Sequence, residues 1–108
     1  MKVVFAGHDD DGLRERLEGE GNEVTAVEDI ATRPALEEAG IVDADLFVLT
    51  DVGQATAVPI AKDLNDDLQV VIYSRDSFPE FASAQVDFAV DPDLLGPDAV
   101  AEELSDAT

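Results

Sequence analysis

Short apolar runs recur along the chain at regular intervals and predict the strands of a sheet. Three of these runs, "VVFA", "LFVL" and "VVIY", are almost continuously hydrophobic. Continuous hydrophobicity is typical of strands that are buried on both faces in a parallel sheet. The predicted strands are Lys2–Ala6, Glu23–Val27, Asp45–Leu49, Gln69–Tyr73 and Asp87–Val90.

Stretches with helix start and stop signals lie between these strands. Leu13 and Leu17 are spaced to share one face of the first. Thr32 is a suitable N-cap for the second, and Ser77 with Glu80 forms a capping-box pattern for the fourth. The predicted helices are Asp11–Gly19, the segment "RPALEEAG", Gln54–Leu64, the residues that follow the capping box, and Asp98–Leu104 behind Pro97.

Alternating strands and helices predict a single α/β domain over residues 1–108. We expect a doubly wound, five-stranded parallel sheet in the order 2-1-3-4-5, with the three layers of a Rossmann-like or flavodoxin-like fold. Ligands of such sheets lie beyond the carboxyl ends of the strands, where the strand order reverses. That position directs attention to the loops Gly7–Gly12 and Thr50–Gln54.

The charge of the chain narrows its partners and its environment. It has 26 acidic and 6 basic residues, a net charge of -20, which disfavours binding to nucleic acid or to an anionic membrane. The acidity is spread along the chain, and Lys2 and Lys62 are the only lysines. This pattern indicates a protein of a salt-in halophile, where molar salt screens the self-repulsion. The alternative is an acidic mesophilic domain with a basic partner.

Several kinds of chemistry are missing from the sequence. There is no cysteine, so the chain has no disulfide, thiolate nucleophile or zinc–thiolate site. No signal peptide pattern opens the chain, and no apolar run is long enough for a membrane span. We therefore expect a cytoplasmic protein. Because no nucleophile–base–orienter set can be assembled, we do not expect an enzyme.

The turn after the first strand partly follows the dinucleotide pattern G-x-G-x-x-G. Gly7 and Gly12 match its first and third glycines, but Asp9 replaces the second. Glu28 stands where an acidic residue would hold ribose hydroxyls, with a solvated residue at the strand end as the alternative. NAD(H) or an adenine nucleotide is the candidate ligand. Asp9 and Asp10 are candidate Mg²⁺ ligands. Alternatively, the aspartates cap the first helix, where its dipole favours negative charge.

Other polar residues are expected at the same edge of the sheet. His8, the only histidine, is either a general base or an exposed loop residue. Thr50 and Asp51 are candidates for hydrogen bonds to a ligand, with a turn or capping role as the alternative for Asp51. Ser74 and Arg75 follow the fourth strand, where they could bind an anion.

Two long segments resemble the second half of the TrkA-N (RCK-type) nucleotide-binding domain of potassium-transport regulators. They are "LEEAGIVDADLFVLTDVGQATAVPIAKDLNDDLQVVIYSRD" and "QVDFAVDP". The resemblance covers about residues 36 to 92 and the Gly7–Gly12 turn, and implies a shortened Rossmann-like domain with a nucleotide crevice. One strand–helix unit of that family is missing. The whole chain also resembles short uncharacterised haloarchaeal proteins.

The chain is also similar to receiver domains. Asp9 and Asp10 match the acidic pair after the first strand of that plan, and Ser74 matches the hydroxyl residue after the fourth. Thr50 occupies the phosphoacceptor position, with Asp51 one residue late. Asp91 stands where receivers have lysine before a proline. The resemblance therefore implies a pseudo-receiver that lacks the phosphoacceptor.

The leading interpretation is a small, non-catalytic regulatory or ligand-sensing domain with a degenerate nucleotide crevice. The alternatives are a pseudo-receiver and a protein-interaction module without ligand. A homodimer is expected through the third helix, because its apolar residues occupy more than one face. These residues are Ala55, Ala57, Val58, Ile60 and Ala61.

Overall fold

A computed structural model describes residues 1–106 and confirms the predicted sheet. Within these residues all strands are parallel and lie in the order β2-β1-β3-β4-β5. Two of them begin one residue later than the sequence predicts, at Leu46 and at Phe88. The strands are β1 (Lys2–Ala6), β2 (Glu23–Val27), β3 (Leu46–Leu49), β4 (Gln69–Tyr73) and β5 (Phe88–Val90).

The helices alternate with the strands, and short 3-10 turns cover Ile41–Asp43 and Val52–Gln54. No helix in residues 1–106 combines the length and the apolar character needed to cross a membrane. The helices are α1 (Leu13–Gly19), α2 (Arg33–Glu38), α3 (Ala57–Leu64), α4 (Glu80–Ser83) and α5 (Pro97–Asp106).

Three helix starts show how local geometry modifies the sequence pattern. Thr32 caps α2 as predicted, and its hydroxyl accepts a hydrogen bond from Ala35 N at 3.3 Å. Gly12 adopts a left-handed conformation (φ 78°), so α1 begins after it and not at Asp11. The capping box was wrong: Pro79 precedes α4, and Glu80 is the first helical residue. Glu80 therefore cannot occupy the third helical position that the motif requires.

The sheet is buried on both faces because successive side chains of a strand point to opposite sides. Val4, Phe47 and Ile72 belong to one core cluster, which includes buried residues of α2, α3 and α4. Phe5 and Tyr73 belong to the other, which includes buried residues of α1 and α5. Both faces of β1, β3 and β4 therefore need apolar side chains, which explains their continuous hydrophobic runs.

The apolar residues of α3 are used inside the domain, not on its surface. Ala55, Ala57, Val58 and Ala61 are buried, and Ile60 packs against the same core cluster. The expected second apolar face of α3 was therefore wrong. The reason is that the preceding 3-10 turn and the helix bury small side chains on several sides. A homodimer of this chain remains a prediction without that surface.

Candidate functional site

Thr50 ties together the loops that follow β1 and β3. It is a polar residue, yet only 3% of it is exposed. Its hydroxyl donates a hydrogen bond to the His8 carbonyl at 2.6 Å, and it lies 3.4 Å from the Ala6 carbonyl. A buried hydroxyl needs such a partner, because leaving it unpaired costs about 1–3 kcal/mol. Thr50 therefore fixes the backbone at the switch point of the sheet.

Gly7 is required by this packing. Its φ is 101°, a conformation that side chains other than glycine rarely adopt. A Cβ atom at Gly7 would lie 2.3 Å from Thr50 Oγ1 and 2.9 Å from Asp51 N. The first glycine of the dinucleotide-like pattern thus has a steric reason that involves no phosphate.

The three consecutive aspartates have different partners. Asp9 accepts a hydrogen bond from Arg14 N at 3.2 Å, in the first turn of α1. Asp10 lies 3.2 Å from His8 Nδ1, and Asp11 pairs with Arg75. In the part of the chain that the structure describes, no group of three His, Asp or Glu side chains could hold a metal ion. The Mg²⁺ site at Asp9 and Asp10 remains a prediction, and the geometry fits it poorly.

Arg75 connects the loops after β1, β4 and β5. Its Nε donates to Asp93 at 2.9 Å, and its two terminal nitrogens lie 3.3 and 3.4 Å from the Asp11 carboxylate. Hydrogen bonds to Asp11 and then to Asp93 are the main causes that raise the pKa of Arg75. Ser74 shapes the turn, because its hydroxyl accepts from Asp76 N at 3.1 Å. Arg75 is therefore engaged by two carboxylates, and anion binding at Ser74 and Arg75 remains a prediction.

Tyr73 lies beside this cluster at the end of β4. Its hydroxyl donates to the Leu95 carbonyl at 3.2 Å, in the loop between β5 and α5. Burial raises the pKa of Tyr73 above its usual 10.0, and the negative charge of Asp11 raises it further. The positive charge of Arg75 opposes this shift. The phenol therefore keeps its proton and its hydrogen bond across the ordinary pH range.

Tyr73 offers a direct spectroscopic test, because it is the only tyrosine of the chain. We expect phenolate absorbance to titrate at higher pH in the folded chain than in urea. The folded pKa is raised, so the stabilising contribution of the neutral phenol is complete below pH 10.0 and is lost as the pH rises through the folded value. Tyr73→Phe should reduce the alkaline loss of stability. Equal midpoints in folded and unfolded chains would contradict the buried position.

A separate groove lies between the carboxyl ends of β1, β2 and β3. It has a volume of about 420 Å³, and four predicted ligand residues line it: Gly7, His8, Glu28 and Asp51. Asp9, Gly12, Thr50 and Ser74 are not among its lining residues. Ser74 instead lines a hollow of about 240 Å³ next to Arg75. The structure thus divides the predicted site between two places.

Gln54, which the sequence patterns did not single out as a functional residue, closes one side of this groove. Its side-chain oxygen accepts from Ala31 N at 2.8 Å, and its nitrogen lies 3.3 Å from Asp51. Asp51 also accepts from Gly53 N at 2.9 Å, which confirms the turn role considered for it. Asp93 was missed as well, although "DPD" after the fifth strand places an acid at this edge of the sheet.

Solved structures with the same fold include response regulators. HP1043, an orphan response regulator of H. pylori, superposes with a TM-score of 0.75 at 17% identity, over 98% of this chain and 94% of its own. An atypical orphan response regulator, described as having a phosphorylation-independent mechanism, gives 0.72 at 17% identity, over 98% and 93%. A putative pilus assembly protein (cpaE) from Burkholderia thailandensis E264 gives 0.70 at 17% identity, over 100% and 99%.

These similarities establish a receiver-like, flavodoxin-like fold. They support the receiver resemblance better than the TrkA-N resemblance, which no comparison shows. No curated protein is significantly similar to the chain in sequence. Residues 3–104 match the model of a family of unknown function, DUF7126, and the chain belongs to that family.

Proposed function

We propose that this chain is a receiver-like regulatory domain that acts without phosphorylation. Its neighbours in fold support a regulatory role, since two of those compared are orphan response regulators. The observation that carries the proposal is the state of Thr50, which stands at the phosphoacceptor position of the receiver plan. In the unmodified chain the Thr50 hydroxyl already donates a hydrogen bond to the His8 carbonyl.

Neither residue at the end of β3 is arranged as a phosphoacceptor. Thr50 is 3% exposed, and its hydroxyl hydrogen is directed to the His8 carbonyl. Asp51 is a carboxylate, but both of its oxygens accept hydrogen bonds, from Gly53 N at 2.9 Å and from the Gln54 side chain at 3.3 Å. Both oxygens of Asp51 are thus engaged in the turn that follows β3.

The positive charge that receivers place after the fifth strand lies after β4 in this chain. Asp91 follows β5 where receivers have lysine, and Arg75 supplies a positive charge from the end of β4. Arg75 contacts Asp11 and Asp93 at the same time. A network of several charges contributes more to stability than an isolated ion pair on the surface does. The loops at the carboxyl edge are thus held in one arrangement by contacts that need no modification.

The test is exposure of the chain to acetyl phosphate and Mg²⁺, followed by measurement of the intact mass. We expect no phosphoryl adduct on the wild type. Asp51→Asn serves as the matched control, because it removes the nearest carboxylate that could react. A stable adduct on the wild type that is absent from Asp51→Asn would contradict the proposal.

Nucleotide binding is the second candidate, because the β1–β2–β3 groove brings together Gly7, His8, Glu28 and Asp51. Glu28 would hold the ribose hydroxyls, but the groove also contains Asp29 and no basic residue other than His8, so Asp29 and Asp51 would face a bound phosphate. Titration of NADH, ATP and AMP in molar KCl separates the two candidates. Dissociation constants below about 1 mM that rise in Glu28→Gln would favour nucleotide binding. Absence of such binding leaves the receiver-like role.

A further inference from the structure

The region around β5 exposes most of the large apolar side chains on the surface. Of the six exposed large hydrophobic residues in the described part of the chain, four lie between residues 81 and 95. They are Phe81 at 68% exposure, Phe88 at 43%, Leu94 at 82% and Leu95 at 43%. β5 is also an edge strand, with β4 as its neighbour on one side only. Two of the four, Phe88 and Leu95, line the same groove, and adjoining apolar residues mark an interaction surface more often than scattered single residues do.

The groove that Phe88 and Leu95 share lies between β5 and α5. Its volume is about 370 Å³, and its floor contains Phe88, Val90, Leu95 and Ala99. It exists because α5 packs against α1, toward the middle of the sheet. The side chains that β5 directs to this face are therefore only partly covered.

The charged residues that line the groove are both acidic. Residues 76–106 contain nine acidic side chains and no lysine, arginine or histidine. Three of these acids, Asp87, Asp93 and Asp98, pair with cations from other parts of the chain. Glu102 and Glu103 on α5 line the groove and are exposed. Neither forms an ion pair with another residue in the part of the chain that the structure describes. The surface thus combines apolar lining residues with two exposed carboxylates at its rim.

We propose that the β5–α5 groove binds a basic segment of a partner protein, with apolar side chains at the centre of the segment and lysine or arginine on both sides. Apolar burial supplies affinity, and the opposite charges supply orientation and a faster encounter. A second copy of this chain is a poorer occupant, because it would bring another acidic rim against the first. This inference goes beyond the proposed regulatory role and does not require it.

The probe is a fluorescein-labelled model peptide of leucine and lysine with helical periodicity. A matched peptide keeps every lysine and replaces leucine with serine. Anisotropy titrations use the full chain at the lowest KCl concentration where circular dichroism shows all variants folded. We expect the leucine peptide to bind at least about tenfold more tightly than the serine peptide, because buried apolar area contributes to affinity.

Two pairs of variants locate the binding surface. Glu102→Lys with Glu103→Lys reverses the rim of the groove, and Glu37→Lys with Glu38→Lys makes the same change on exposed residues of α2. We expect the first pair to lower the affinity for the leucine peptide by about tenfold and the second pair to lower it by less than about twofold. The reason is that charge effects are local when salt screens them. Phe88→Ser should also weaken binding, whereas Val42→Ser, at another exposed site, should not.

If both double variants lose the same affinity for the leucine peptide, the attraction to the acidic protein is unspecific, and the proposal is overturned. Equal binding of the leucine and serine peptides, or no binding, would overturn it too. Sedimentation of the same samples tests the competing occupant. A dimer of the wild type that Phe88→Ser dissociates would assign the groove to a second copy of the chain.

Discussion

Gly7→Ala is expected to destabilise the fold by about 2–5 kcal/mol. The left-handed backbone at φ 101° costs about 1–2 kcal/mol for a residue with a Cβ atom. The added carbon would also overlap Thr50 Oγ1 at 2.3 Å, and overpacking of this kind costs about 1–3 kcal/mol. Urea unfolding at constant KCl measures the difference in free energy.

Two other glycines separate these contributions. Gly12 has a φ of 78° but open space where its Cβ would lie, so Gly12→Ala should cost only the backbone part, about 1–2 kcal/mol. Gly19 ends α1 with no positive φ and no close neighbour. Gly19→Ala should therefore be neutral or stabilising, by up to about 1 kcal/mol. If Gly7→Ala lowers the free energy of unfolding no more than Gly12→Ala does, the inferred overlap of the added Cβ atom with Thr50 is wrong.

Raising KCl from about 0.01 M to about 1 M is expected to increase the melting temperature by about 10–20 °C. The chain carries -20 net charges within extents of 29 × 28 × 24 Å. At the lower salt concentration the screening length is about 30 Å, so every carboxylate repels all the others. At the higher one it is about 3 Å, and only neighbouring charges interact. A few kcal/mol of relieved repulsion gives this shift, at about 4–8 °C for each.

Glu37→Lys with Glu38→Lys is the internal control for the salt effect. It adds positive charge on exposed α2 residues, so the melting temperature should rise in low salt and depend less on KCl. A melting temperature that is flat or falls with KCl would show that net repulsion does not limit the stability of this fold. The halophile interpretation of the composition would then lose its physical basis.

The strands and their order follow from the sequence because burial on both faces leaves continuous apolar runs. The five predicted strands agree with those of the described chain to within a residue. Helix starts were harder to predict, since backbone conformations decide them. Gly12 delays α1, and Pro79 replaces the capping box that Ser77 and Glu80 would have formed. A pattern of residue types does not contain these dihedral angles.

The candidate site could be predicted only as a set of loops. Arg75 and Asp11 are 64 residues apart in the chain, and only the folded sheet brings them together. The sequence placed both at the carboxyl edge but could not show that they neutralise each other. Gly7 was matched to a phosphate-binding pattern, whereas the structure explains it by the proximity of Thr50. A glycine after the first strand can thus reflect either the close approach of a phosphate or, as here, the close approach of another side chain.

Amide hydrogen exchange of Arg75→Gln tests most directly whether permanent contacts hold the carboxyl-edge loops. Arg75 contacts Asp11 and Asp93, and the loop that contains Asp93 is closed by hydrogen bonds from Leu94 N and Leu95 N to the Asp91 carbonyl, at 2.9 and 3.1 Å. We predict faster exchange of these two amides in Arg75→Gln.

Arg33→Gln, which removes the exposed pair with Asp63, serves as the control. We predict that exchange of the Leu94 and Leu95 amides in Arg33→Gln matches the wild type. If Arg75→Gln and Arg33→Gln give the same exchange at these two amides, Arg75 does not hold the loops. The account of a receiver-like domain fixed without phosphorylation would then be contradicted.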